Sequence, residues 1–407
     1  MHFVRNVKGQ DMFFESVDFS ALELPPAAQR LREEVRAFLQ AELAARAYTP
    51  HLGHTEFDAA FTRKVAERGW IGMTWPRQYG GAERSYLERF VVTEELLAAA
   101  APCAAHWFGD RQTGPSLLRY GTEALKQRFL PAIARGECHF ALGMSEPGAG
   151  SDLAAVRTRA ERVSGGWRVT GQKVWTSWAH SAHAFFVLCR TAPDTGDRHE
   201  GLSQLIVELT SPGVTVRPIR FMNGRHHFNE VFLDGVFVPD EMVVGEIGAG
   251  WKQVTSELAL ERSGPERYMT TLPLLIELIR RLGAAPDGRA REMVGRVSAR
   301  LWSLRRMSLA IALTLDPARR ADDGSAAPDL ATEAALVKDM GTFFEREIID
   351  AARLLVAIEP DPDGTETFER FLAETIVCSP VSTIRGGTTE VLRTLIARRL
   401  LGRMQVN

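Results

Sequence analysis

The hydrophobic repeat of this chain changes period twice, and that double change constrains its fold more than any other feature. From about residue 25 to 140 the apolar positions follow helical spacing. "LPPAAQRLREEVRAFLQAELAAR" opens on prolines and repeats Leu31, Val35, Phe38 and Leu39. "SYLERFVVTEELLAAAAP" and "GTEALKQRFLPAIARG" continue that rule, the second stopping on Gly136. From about 140 to 245 short alternating or β-branched runs take over between glycine turns: "GGWRVTGQKVWTS", "AFFVLCR", "LSQLIVEL", "GVTVRPI" and "NEVFLDGVFVP". These predict antiparallel strands at spacings suited to a barrel or sandwich. From Trp251 helices return over 251–282, 288–316, 331–358 and 366–378, with a final amphipathic stretch at 388–401. Residues 317–330, "PARRADDGSAAPDL", read as a polar connector. The expected division is an extension at 1–24, a helical domain at 25–140, a middle β-barrel at 141–249 and a helical bundle at 250–407.

Bulk chemistry removes several function classes. With 407 residues, 45% of them hydrophobic, the chain has material for a large core and two or three domains. A formal net charge of −2 gives no basic balance for nucleic acid or an anionic membrane. The four cysteines, Cys103, Cys138, Cys189 and Cys378, form no CxxC, so neither a disulfide framework nor a zinc site is indicated. His226 and His227 are adjacent in a strand-like run and point to opposite faces; His51 and His54 lack a third ligand, and no metal site is expected. Apolar runs are too short to span a bilayer, and the first sixteen residues lack a signal-peptide core. The expectation is a soluble, cytoplasmic protein whose first residues are an extension or a docking arm.

Three motifs carry chemistry. "GMSEPGAGSD", Gly143 to Asp152, joins the helical zone to the first strands. Gly148 and Gly150 would let backbone approach a ligand closely, with the Ser145 and Ser151 hydroxyls at the rim. The same composition also suits a plain Gly/Pro turn. It is neither a Walker loop nor a dinucleotide fingerprint, since no Lys follows the glycines and no βαβ unit surrounds them. "KVWTS" sets Trp175, Thr176 and Ser177 at a strand end, where a ring and two hydroxyls could wall and hydrogen-bond a flat ligand, or simply finish a strand. "STIRGGTTEVLRTLIARRLLG" places Gly386 and Gly387 before a helix whose first turn carries Thr388, Thr389 and Glu390. That helix start could present free N–H groups to an anion or carbonyl, or be an ordinary capped helix.

A fourth stretch, "LALERSGPER", raises a question about Glu261. Val254, Leu258 and Glu261 fall at i, i+4 and i+7, so the acid ends an apolar stripe. Pro265 cannot supply the N–H that the Glu261 carbonyl would receive, and Gly264 removes bulk beside it. Such an acid is a paired structural charge or a base.

Together these residues resemble the acyl-CoA dehydrogenase family of flavoproteins over almost the whole chain, from "RGWIGMTWPRQYGG" through "HFALGMSEPGAGSDLA" and "GQKVWTS" to "IRGGTTEVLRTLIARRLLG". The resemblance implies a mainly α fold: an N-terminal helical domain, a middle β-barrel and a C-terminal four-helix bundle. It implies FAD, contacted by Met144, Ser145, Gly150, Ser151, Trp175, Thr176, Ser177, Thr388 and Glu390. Ser151 also matches a position near the thioester substrate, and Arg262 is read as a second substrate contact. The implied reaction is α,β-desaturation of an acyl-CoA, in which a carboxylate takes the α-proton and electrons pass onward to an electron-transfer flavoprotein. An acyl-CoA oxidase and a non-catalytic partner subunit are the alternatives; the length, without the added C-terminal domain of many oxidases, speaks against the first.

Two departures from the family pattern matter. Many members carry the base in an I-Y-E-G-T motif, and Ile384, Arg385, Gly386, Gly387 and Thr388 match it, with Gly386 in the acid's place. A branch that includes isovaleryl-type and steroid side-chain enzymes instead has the base on the first C-terminal-domain helix, where Glu261 falls. Resemblance therefore makes Glu261 the base and Gly386 a backbone donor to the thioester carbonyl. Second, the family's Arg-x-x-Phe and Gln-x-x-Gly-Gly-x-Gly, which hold a neighbouring subunit's FAD, are missing from "RRLGAAPDGRAREMV" and "AARLLVAIEPDPDGTET". The expected assembly is a homo-oligomer or a heterotetramer with a homologous subunit.

Overall fold

A computed structural model describes residues 24–44, 55–193, 196–316 and 329–405, with the side chains of 257–261 and 403–405 excepted. Nearly all of the expected extension, most of the polar connector and the Glu261 side chain thus lie outside the described residues. In chain order the helices and strands are α1 Pro26–Ala44, α2 Ala59–Glu67, α3 Tyr86–Ala98, α4 Ala104–Phe108, α5 Gly114–Tyr120 and α6 Glu123–Ala134, then β1 Phe140–Gly143, β2 Arg159–Val163, β3 Gly166–Ser177, β4 Ala184–Arg190, β5 Leu202–Glu208, β6 Val214–Arg220, β7 His226–Pro239 and β8 Val243–Val244. The chain continues with α7 Gly250–Glu261, α8 Leu272–Leu282, α9 Gly288–Leu315, α10 Ala331–Leu355, α11 Thr367–Ser382 and α12 Thr389–Gln405. The helical, β, helical order expected from the period changes is present. Two compact units divide these elements: residues 55–84 and 102–258 form one, and 85–101 with 259 onward and the N-terminal stretch form the other.

In the first unit the strands make one sheet in the order β6-β7-β3-β2-β4-β5-β8, with β1 added beside β4. Most neighbours are antiparallel as the strand pattern predicts, but β1 and β2 both run parallel to β4, with Phe140 opposite Ala184 and Arg159 opposite Arg190. β4 and β5 do not alternate; their first six residues are all buried, which marks strands covered on both faces. β6 alternates half-buried and exposed positions from Val214 to Arg217, as a strand wet on one side should. A turn of π-helix, Gly109–Thr113, joins α4 to α5.

The second unit is helical. α1 buries Ala28, Leu31, Val35, Phe38 and Leu39, one helical face, and packs on α3. α3 begins with a capping box in which the Ser85 hydroxyl accepts from Glu88 N–H and the Glu88 carboxylate accepts from Ser85 N–H. Its Glu94 is buried between Arg32, at 2.9 Å, and Arg305 of α9. α9 and α12 both lie against α10, and α8 packs on α10 and α11. The helical stretch expected over 251–282 is interrupted. α7 ends at Glu261, Gly264 is extended, and Pro265 opens a short 3₁₀ turn before α8 restarts with Pro273 in its first turn. The N–H that Pro265 lacks goes with a full break here, since neither proline can donate the bond that would continue the helix.

Candidate functional site

The sheet unit gathers two of the three motifs. After β1 the chain passes Met144 and Ser145 into a turn in which Glu146 and Ala149 exchange both backbone hydrogen bonds, at 2.9 and 3.0 Å. Ser145 then pairs with β3, its carbonyl accepting from Val174 N–H at 2.9 Å. A side-chain clamp unread in the sequence holds this loop. Lys173, fully buried on β3, donates to the Met144 carbonyl at 3.1 Å and to Glu146 Oε1 at 2.8 Å. Glu146 also accepts from the N–H groups of Arg157 and Thr158, at 2.6 and 2.9 Å. Burial works to raise the Glu146 pKa, but the Lys173 charge and these bonds outweigh it and hold the carboxyl below its usual range. The signal was present as an acid and a lysine in the two quoted motifs; nothing local says that residues 27 apart will meet.

Beyond this clamp the loop is open. A Cβ at Gly148 or Gly150 would meet nothing within 4 Å, and neither glycine has a positive φ. The backbone does not require glycine there; free space beside the chain remains. Gly150 and Ser151 are exposed, and Met144 and Ser145 half-buried.

The end of β3 is conformationally unusual. Trp175 has φ 58° and Trp178 φ 57°, a left-handed backbone that bulky residues adopt only when their surroundings impose it. Register with β7 slips between Lys173 and Thr176. Trp175 is left 57% exposed, a ring available to be covered. Thr176 is fully buried, yet its hydroxyl has no hydrogen-bond partner. An orphaned buried hydroxyl beside an uncovered indole fits a flat, polar-edged ligand. Ser177 is half-buried and pairs with Phe228 in the ladder.

The helical unit holds the remaining candidates. Gly386 and Gly387 adopt φ 67° and 97°, so here glycine is demanded by conformation. A Cβ on Gly386 would stand 3.0 Å from Arg267 Nη1. Arg262, buried, donates from Nε to the Gly386 carbonyl at 3.2 Å, so Arg262 and Gly386 are brought together. Among the described residues neither the Gly386 nor the Gly387 N–H is taken up by a backbone bond. Thr388 caps α12, its hydroxyl accepting from Val391 N–H at 3.3 Å; Glu390 is exposed. The turn's other end is tied down by Lys338, which donates to the Ser382 carbonyl at 2.7 Å beside Thr342, whose hydroxyl reaches the same oxygen at 3.1 Å. A buried Glu345 accepts from Thr270 N–H at 2.9 Å and lies 3.8 Å from Arg385. The backbone of Glu261 closes α7, one residue before Arg262.

Residues 25–137 match the acyl-CoA dehydrogenase N-terminal domain and residues 141–236 the acyl-CoA dehydrogenase middle domain. Acyl-CoA dehydrogenase IpdE1 of Mycobacterium tuberculosis is 35% identical over 92% of this chain and 97% of its own length. Acyl-CoA dehydrogenase FadE34 of the same organism is 36% identical over 83% of this chain, which spans 45% of FadE34's length. Among solved structures, the Tcur3481-Tcur3483 steroid ACAD aligns with TM-score 0.79 and 28% identity over 94% of this chain and 98% of that one. The ChsE4-ChsE5 complex from Mycobacterium tuberculosis aligns with TM-score 0.75 and 27% identity, over 94% and 98%. Two family domains matched in succession, with a relative 35% identical over 92% of this chain, show that the chain belongs to the acyl-CoA dehydrogenase family, flavoprotein oxidoreductases that desaturate acyl-CoA thioesters.

Proposed function

We propose that this chain binds FAD and removes the α- and β-hydrogens of an acyl-CoA, with Glu261 as the base. The observation that carries the reading is the end of β3, where the unpartnered, buried Thr176 hydroxyl and the uncovered Trp175 ring fit a flavin edge and face. When bound, FAD supplies the hydride acceptor. Met144, Ser145, Gly150, Ser151, Trp175, Thr176 and Ser177 are the contacts assigned to it by the family resemblance, and Thr388 and Glu390 are assigned to it on the same ground alone. The Glu261 carboxylate takes the α-proton, and the Gly386 N–H stabilises the charge that develops on the thioester oxygen. The left-handed backbone at Gly386 and the lack of a backbone acceptor for its N–H among the described residues support that role. Ser151 and Arg262 are assigned to the substrate; Arg262 would act by fixing the Gly386 carbonyl it bonds.

The 28% identical structure is a steroid ACAD, so steroid-derived acyl-CoA thioesters are the substrate class to test first. An electron-transfer flavoprotein is the proposed electron acceptor, and the cytoplasm the proposed setting; among the described residues no helix is long and apolar enough to cross a membrane. The same proposal divides the chain into domains after residues 24, 140 and 249. The test is Glu261→Gln, which keeps shape and removes the base. Anaerobic reduction of bound flavin by acyl-CoA should slow by at least ~10²-fold. Wild-type bleaching rates in that variant would move the base to another residue.

A further inference from the structure

We infer that Asn229 is a positioning residue for the Trp175–Ser177 strand end, its amide holding the backbone from which the Thr176 hydroxyl reaches the flavin. This rests on the cofactor reading given above. Asn229 lies on β7 opposite Thr176 and is fully buried. Its Nδ2 donates to the Thr176 carbonyl at 3.0 Å and to the His227 carbonyl at 3.3 Å. Its Oδ1 faces His180 Nδ1 at 3.1 Å and His226 Nε2 at 3.3 Å. An amide has two N–H donors and one oxygen with two lone pairs, and here all four are used.

The orientation of this amide follows from its neighbours. The two backbone carbonyls can only accept, so the nitrogen must face them and the oxygen must face the histidines. His180 therefore carries its proton on Nδ1 and His226 on Nε2, and the two rings pack 4.2 Å apart around the shared acceptor.

The arrangement matches the local strain. Trp175 and Trp178 flank Thr176 in left-handed conformations, which persist only where surrounding contacts over-determine them. The His227 carbonyl that receives Asn229 also accepts from Trp178 N–H at 2.7 Å. One side chain thus joins the Thr176 carbonyl to the His227 carbonyl that also receives Trp178 N–H. The ladder resumes only at Thr176, opposite Asn229, after the irregular stretch that follows Lys173, so the amide braces the first paired residue past the slip.

The test uses the flavin-loaded protein, co-purified with whatever homologous chain it needs to retain flavin. Asn229→Asp keeps the size and the acceptor but replaces the single donating nitrogen by an oxygen that faces both carbonyls. Asn229→Ala removes all four bonds. We expect both variants to shift the visible flavin absorption band and the flavin midpoint potential, and to weaken flavin retention by at least about 10-fold, the equivalent of one lost buried hydrogen bond. Melting temperature is followed in parallel. A lowered melting temperature with an unchanged band, potential and retention in either folded variant would make Asn229 a structural residue only and overturn the inference. Wild-type protein that takes up no flavin in any assembly would instead overturn the cofactor reading, and the positioning role with it.

Discussion

Lys338 shows how a single charge can be bent by its surroundings. It is 1% exposed, and burial together with the charges of Arg267 and Arg385 pushes its pKa down to about 7, against the weaker opposing pull of Glu345 and Asp339. A neutral amine still donates two hydrogen bonds, enough for the Ser382 carbonyl and the Thr342 hydroxyl that it holds. Because the folded pKa lies below the unfolded one, the unfolded chain binds more protons between about 7 and 10.5. Stability attributable to this residue therefore rises with pH through that window and is flat below it. Comparing urea unfolding of the wild type with Lys338→Met should show a free-energy difference that changes with pH there, by at most about 1.4 kcal/mol per unit. A difference independent of pH would mean that Lys338 stays charged in the fold.

At the scale of an element, β3 does two jobs, and the Lys173 clamp is what links them. The strand ends in the Trp175–Ser177 segment, and two residues earlier its buried ammonium holds the Met144 carbonyl and the Glu146 carboxylate of the loop. Lys173→Met would leave Glu146 buried with two backbone N–H groups and no countercharge. Removing one partner of a buried pair costs about 3–5 kcal/mol. Denaturant melts should show a loss of that size, and the double variant Lys173→Met with Glu146→Gln should recover part of it, since no unpaired charge remains. A loss below about 1 kcal/mol in the single variant would show that Glu146 finds another partner or takes up a proton.

For the whole molecule the open question is assembly. The motifs by which a family member holds its neighbour's FAD are missing from 280–294 and 351–367, and a symmetric oligomer would repeat that deficit at every site. One related structure is a complex of two named chains, ChsE4 and ChsE5. The chain expressed alone should therefore carry well under one flavin per polypeptide, and co-expression with a homologous chain should restore it. The measurement is the flavin-to-protein ratio together with mass by light scattering. A homotetramer purified alone with one FAD per chain would sink this.

The order of helical, β and helical zones was legible in the sequence because hydrophobic period is a local property, set by which face each residue turns to the core. Zone limits followed it closely: α9, α10 and α12 begin within a residue of the expected positions 288, 331 and 388. The glycines at 386 and 387 were legible as a turn for a related reason, since a left-handed backbone excludes most side chains. Family motifs named the flavin-side candidates, from Met144 to Ser177. What the sequence could not show was which distant groups would meet. Glu146 with Lys173, Asn229 with Thr176, and Lys338 with Ser382 are separated by 27, 53 and 44 residues, and each is a common polar residue in its own segment. Their roles depend on burial, which removes water as the alternative partner and makes every remaining hydrogen bond count. Only the packed structure decides where water is excluded.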